Sequence, residues 1–312
     1  MRFTSTLIIV LAVCLLLACS ARHGRLQANA QAPKSGDNDS SSIVPEEPSG
    51  KLPLHILCDV PLTSGTTRFD YQSLDSDNGR LYIAHLGSDL MTVFDVNKQT
   101  VVGDVKDLKR VHGVLAVPEL HRVYASATGT NELAVIDDQT LQVVARVPAG
   151  DYPDGVAYAS KERKIYVSDL HGKTDTVIDA KTNQVVATIA LGGGAGNTQY
   201  DSVSEHIFVT VHGQNELAEI DPSKDQVIGR YRLPGCSGSH GLNIDSEHRL
   251  AFVACEDNAK LAVFDFDAKK MTAIQSVGAD RTCLRLIKTS GGSMSLRRVA
   301  SSRSSTSAVR VW

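Results

Sequence analysis

An aromatic side chain returns about every 42 residues along this chain, and that spacing restricts the fold more than any other feature. Tyr82, Tyr124, Tyr166, Phe208 and Phe252 follow one another at intervals of 42, 42, 42 and 44. A second marker keeps the same step: Phe94-Asp95, Ile136-Asp137, Ile178-Asp179, Ile220-Asp221 and Phe264-Asp265. Two markers with one period mean that one structural unit has been copied along the chain. Each unit holds four short runs rich in Val, Ile and Tyr. In the third these are Gly155–Tyr158, Lys164–Ser168, Thr176–Asp179 and Gln184–Ile189. Gly, Asp, Asn and Lys punctuate them, and no apolar pattern of helical period intervenes.

Four strands in a unit of about 40 residues describe a propeller blade. A lone four-stranded sheet would leave two apolar faces in water, and radial packing of blades buries both. The expected fold is therefore all-β: a β-propeller with five complete blades inside residues 51–280. Ahead of them, His55-Ile56-Leu57-Cys58-Asp59-Val60 reads as a single outer strand that would close the ring by pairing with a last blade. That partner blade is missing from the expected set. The marker Asp residues read as turn openers whose carboxylates accept backbone N–H groups, and the marker aromatics as packing between blades.

Tyr166-Val167-Ser168-Asp169, followed by Thr176-Val177-Ile178-Asp179 and the stretch to Ile189, resembles the repeat of the YVTN-type β-propeller proteins. The resemblance covers about residues 54–280. It implies the propeller fold and leaves the ligand open.

The N-terminus reads as an address. Arg2 precedes the apolar run Leu7 to Ala18, which is too short to span a bilayer comfortably. Leu16-Leu17-Ala18-Cys19 resembles the lipobox of bacterial lipoproteins, in which the Cys becomes the lipidated first residue. Residues 1–18 are thus expected to be a lipoprotein signal peptide, and Cys19 the anchor to the membrane. Ser20 fits sorting to an outer membrane, with the domain facing the periplasm. The alternative is ordinary secretion with an incidental Cys. Residues 19–50 are too poor in apolar side chains to offset their ordering entropy and read as a flexible tether. The formal charge of −3 argues against a nucleic-acid partner.

Residues 281–312 differ in character: seven basic side chains, no acidic one, and mostly Arg, Ser and Thr. No strand pattern is evident there. One explanation is a frameshift after residue 280. Read one base early, codons permitted for Gly292 to Ser295 can spell Leu-Tyr-Val, 42 residues after Phe252. The other is a native basic tail.

Propeller ligands bind at the mouth of the central channel. Aligning the units on their aromatics places Asp70, His112, Asp154, Gly196 (with Asn197 beside it) and His240 at one loop position. A second ring takes His85, Asp169 and Cys255, with His171 and His212 nearby. Imidazoles and carboxylates converging on an axis could hold a divalent metal; the alternative is a water-filled polar mouth. Cys236 and Cys255 fall at one end of the same unit, as a disulfide in an oxidising compartment or as a Cys/His metal site with His240. No nucleophile elbow and no haem-attachment motif occurs, and Gly192 to Gly196 lacks the Lys-Ser/Thr of a phosphate loop. The expected function is a binding or scaffold module for a protein or small molecule. The alternative is a metal-dependent enzyme resembling propeller lactonases. A redox or haem-binding role is a third reading.

Overall fold

The structure is a computed structural model and describes residues 58–62, 67–277, 284–288, 294–298 and 308–311. The signal segment, the tether and Cys19 lie outside the described residues.

Five four-stranded antiparallel sheets follow one another, each with its strands in chain order. Blade 1 is Gln72–Asp75, Arg80–His85, Leu90–Asp95 and Thr100–Val105. Blade 2 is Val111–Val117, Arg122–Ala127, Glu132–Asp137 and Val143–Pro148. Blade 3 is Pro153–Ala159, Lys164–Asp169, Thr174–Asp179 and Gln184–Ala190. Blade 4 is Gly194–Asp201, His206–His212, Glu216–Asp221 and Gln226–Arg232. Blade 5 is Ser239–Asp245, Leu250–Cys255, Lys260–Asp265 and Lys270–Ser276. No α-helix occurs among the described residues. The inner strands of successive blades lie side by side, the arrangement of a propeller.

The marker residues do what their chemistry predicts. Tyr82, Tyr124 and Tyr166 are fully buried, and each packs against the apolar residues of the following blade. Phe208 does the same against Leu242, Val253 and Phe264. Burying a ring of this size contributes roughly 1.5–3 kcal/mol, so the repeat places one such contact at each interface between neighbouring blades. The Asp of the second marker opens the turn into the outer strand. Asp179 Oδ1 accepts the N–H groups of Lys181 at 3.0 Å and Thr182 at 2.7 Å, and Asp95, Asp137 and Asp265 repeat the pattern. Asn183 ends that turn at φ +56°, a left-handed conformation that Asn tolerates.

Every outer strand carries a bulge at one position: Val102, Val144, Val186, Ile228 and Thr272 have no partner in the ladder. The four apolar ones are about half exposed. A bulge bends the edge strand and interrupts the regular row of donors and acceptors onto which another chain could pair.

The C-terminal residues correct one expectation, the lack of strands in residues 281–312, and give the N-terminal strand a partner in a two-stranded sheet rather than in a blade. Leu284–Lys288 pairs antiparallel with Met294–Arg298, and the former lies beside the inner strand of blade 5. Ala308–Val311 pairs antiparallel with Cys58–Pro61, in the register Cys58 to Val311 and Pro61 to Ala308. The tail therefore contains strands, and the N-terminal strand has a partner. Short aliphatic stretches such as Leu284–Ile287 supply strand propensity that an overall count of Arg, Ser and Thr conceals.

Candidate channel-mouth site

The ring residues owe their position to a second repeated bulge, in the inner strands. In blade 2, His112 and Gly113 together oppose Ser126. In blade 3, Asp154 and Gly155 oppose Ser168; in blade 4, Gly196 and Asn197 oppose Thr210; in blade 5, His240 and Gly241 oppose Ala254. A bulge re-aims the side chain it carries, so one local irregularity copied four times sets these side chains at the channel mouth. The opposing hydroxyl satisfies the bulge. Gly113 N–H donates to Ser126 Oγ at 2.6 Å, Gly155 N–H to Ser168 Oγ at 2.8 Å, and Asn197 N–H to Thr210 Oγ1 at 3.0 Å. Two of these hydroxyls donate onward to the next blade, Ser126 to the Asp154 carbonyl at 2.6 Å and Thr210 to the His240 carbonyl at 2.5 Å. The Ser126, Ser168, Thr210 series repeats every 42 residues and was therefore available in the sequence, although reading each hydroxyl alone does not reveal it.

His240 is the centre of the cluster. Its Nε2 lies 2.9 Å from Asp154 Oδ2 and its Nδ1 lies 2.8 Å from Glu256 Oε1. Burial alone pushes the imidazole down, but the hydrogen bonds and charges of Asp154 and Glu256 outweigh it and raise its pKa to about 10. His240 is thus an imidazolium between two carboxylates. The ring passes over Gly196 on its way: a Cβ there would lie 2.8 Å from His240 Cδ2 and 2.5 Å from Thr210 Oγ1. Gly196 thus explains why the ring of polar residues has a gap in blade 4. Asp70 carries the Arg68 guanidinium at 3.0 Å, yet burial first and the Asp154 charge second push its carboxyl up to about 7.

His112 bonds within its own blade and to the loop that leads into blade 3. Its Nδ1 lies 2.8 Å from the Arg110 carbonyl and 2.7 Å from Thr128 Oγ1, and its Nε2 lies 3.3 Å from Tyr152 Oη. Burial lowers its pKa, against the pull of Asp154. Tyr152 lies between His112 and His171, with ring centroids 5.2 and 4.4 Å away and Arg110 5.6 Å over its face. Tyr152 has no counterpart in the other units, so no periodic signal announces it. Asn197 is buried, and its Oδ1 and Asp154 Oδ1 have no hydrogen-bond partner among the described residues.

The second ring does not converge on this cluster as a set. His85 is fully buried in blade 1, stacked on Phe69 at 4.2 Å with Thr67 Oγ1 at 2.6 Å from Nε2. Asp169 accepts hydrogen bonds from Gly150 N–H, Thr174 and Thr176, which ties the loop between blades 2 and 3 to its own blade. Burial outweighs those bonds and pushes Asp169 up to about 6. Cys255 is joined to Cys236 by a disulfide, which takes both out of any metal site with His240. The pair ties the loop before His240 to the strand end that precedes Glu256. His212 does reach the mouth, its ring 6.3 Å from that of His240 and edge-on to it. His171, Lys173, His212, Gln214, His240 and Glu256 line a cleft of about 640 Å³ over blades 3 to 5, together with Gly192 to Gly194.

The donor set does not suit a metal ion as it stands. Both nitrogens of His240 face carboxylates, and no group of three or more His, Cys, Asp or Glu that could hold a metal occurs among the described residues. An ion at this position would have to break a buried ion pair.

Residues 64–197 match the sequence model of the YNCE-like beta-propeller family. No curated protein matches the chain. Among solved structures, "Streptogramin B lyase structure" aligns with TM-score 0.65 and 10% identity, over 79% of this chain and 88% of that one. The hydrazine synthase of Kuenenia stuttgartiensis aligns with TM-score 0.52 and 13% identity, over 81% of this chain and 100% of that one. Identities this low speak for the fold alone. With the repeat, the five sheets and the partial family match in agreement, the chain folds as a β-propeller, and its residues 64–197 resemble the YNCE-like members of that fold.

Proposed function

We propose that this protein is an exported envelope lipoprotein, anchored through Cys19, whose propeller acts as a binding module with its ligand site at the channel mouth. One observation carries the binding reading: His240, the centre of the converging polar groups, has both ring nitrogens taken up by Asp154 and Glu256. A general base works best with a pKa near the operating pH and a free nitrogen. His240 has neither, because Asp154 and Glu256 occupy both nitrogens and hold it cationic. A polar rim built round a fixed ion pair suits recognition of a small molecule or a protein segment, and the net charge does not favour nucleic acid.

The address rests on the Leu16 to Cys19 motif and is tested separately, by labelled palmitate incorporation in a bacterial host. Label in the parent chain and its loss in Cys19→Ser support the anchor; an unlabelled parent overturns it. For the propeller, elemental analysis and a lactone hydrolysis assay on the full-length chain are decisive. Stoichiometric metal that disappears in His112→Ala and His240→Ala, together with hydrolysis, would replace the binding module with a metal-dependent enzyme resembling lactonases. We also propose that residues 281–312 are out of frame. Codons in the gene that cannot encode the shifted peptide end that idea.

A further inference from the structure

We infer that the cleft over blades 3 to 5 binds the oxyanion of a small ligand, a carboxylate or a phosphate, through Lys173, His171 and His212. The inference rests on the binding-module reading and adds the class of ligand. Three turns at the same end of neighbouring blades build the cleft. His171 and Lys173 come from the turn between the second and third strands of blade 3. Gly192 to Gly194 form the crossing from blade 3 to blade 4, and His212 ends the second strand of blade 4. Its volume, about 640 Å³, is in the range of small-molecule sites.

The charge pattern selects the ligand. Lys173 is exposed and makes no ion pair among the described residues. Its backbone is held on both sides, its N–H on the Asp169 carbonyl and its carbonyl on the Leu191 N–H, so the start of the side chain is fixed at the rim. The rings of His171 and His212 pack against Tyr152 and His240 but make no hydrogen bond among the described residues. Each can direct an N–H into the cleft. The single acid in the lining, Glu256, is bonded to the His240 imidazolium at 2.8 Å, a cation it shares with Asp154. What remains is one unmatched cation and two imidazoles without acceptors. The complement is a compact negative group with several acceptor oxygens.

The test is calorimetric titration of the full-length chain, in detergent at low salt, with sodium citrate and separately with inorganic phosphate. Saturable binding of either is expected, and the ligand that binds distinguishes carboxylate from phosphate recognition. Lys173→Gln and His212→Gln should each weaken it roughly tenfold, the scale of one charge-assisted hydrogen bond. His121→Gln, in the turn at the opposite end of blade 2, should leave it unchanged. Added salt should weaken binding as well. Unchanged melting temperatures show that the variants are folded. Failure of both ligands to bind, or equal affinity in the Lys173→Gln/His212→Gln double variant, overturns the inference. The binding module itself falls only to the metal and hydrolysis results, so the two failures are distinguishable.

Discussion

His240 and Asp154 stand 86 positions and two blades apart, yet His240 Nε2 meets Asp154 Oδ2 at 2.9 Å at the channel mouth. Both side chains are nearly inaccessible, and Glu256 holds the other imidazole nitrogen. The contact joins blade 3 to blade 5 directly, over the missing side chain of Gly196.

Removing the imidazole should therefore cost more than its size suggests. His240→Ala leaves Asp154 buried without its counter-charge, a loss on the order of 3–5 kcal/mol. Asp154→Asn should cost less, because His240 keeps Glu256. Urea unfolding of the two variants gives the ranking, and equal, small losses would show that the ion pair does not hold the fold.

The same residue sets the alkaline limit of stability. Its folded pKa of about 10 lies above the ordinary value of 6.5, so its contribution is complete below about pH 6.5 and is lost as pH rises toward 10. Asp70, raised to about 7, acts in the same direction at lower pH: its contribution is complete below about pH 4 and lost through 7. Asp201 opposes them. Arg249 and Ser204 outweigh its burial and hold it near 2, so its contribution is present above about pH 4 and is lost as pH falls. Unfolding free energy should decline between pH 7 and 10 in the parent chain, and this decline should be largely absent in His240→Gln. Measurement stays below pH 10, where tyrosine ionisation begins to intrude.

Two glycines of the same end should respond differently to a methyl group. Gly196→Ala places carbon against His240 and Thr210 and should cost about 1–3 kcal/mol through displaced packing. Gly213→Ala meets nothing within 4 Å, and only its φ of +82° resists, for about 1 kcal/mol. Denaturant midpoints compare them. An inverted order would mean that the His240 crossing is not tight.

The hydroxyl opposite an inner bulge should be worth an unmade hydrogen bond. Ser126→Ala strips the acceptor from Gly113 N–H and the donor from the Asp154 carbonyl, both buried, for about 1–3 kcal/mol. Blade 5 already has Ala254 at this position. Ala254→Ser is therefore expected to be neutral or stabilising.

Reduction of the Cys236–Cys255 disulfide, which closes a separation of 19 residues, should lower stability by about 3 kcal/mol on the chain-entropy account. Thermal melts with and without reductant, set against Cys236→Ser/Cys255→Ser, measure it. A reductant effect that persists in the double variant would point elsewhere.

Periodicity and turn chemistry were legible without coordinates because both are local or repeat at fixed steps. Tyr82, Tyr124 and Tyr166 announce inter-blade packing by recurrence, Asp179 announces its turn by the residues beside it, and the blade with four strands follows. The equivalence of Asp70, His112, Asp154 and His240 also follows from the step of the repeat. Which of them touch does not. His240 could face any partner around the channel, and its choice of Asp154 depends on the reach of one imidazole, the bare backbone of Gly196 and the position of Glu256 behind it. His85 shares a ring in the alignment but is buried against Phe69, because a neighbouring apolar side chain rather than the period decides its surroundings. The strands at Leu284–Lys288 and Ala308–Val311 were hidden for a similar reason. Backbone pairing is selected by the strand that lies alongside, and composition carries no record of that neighbour.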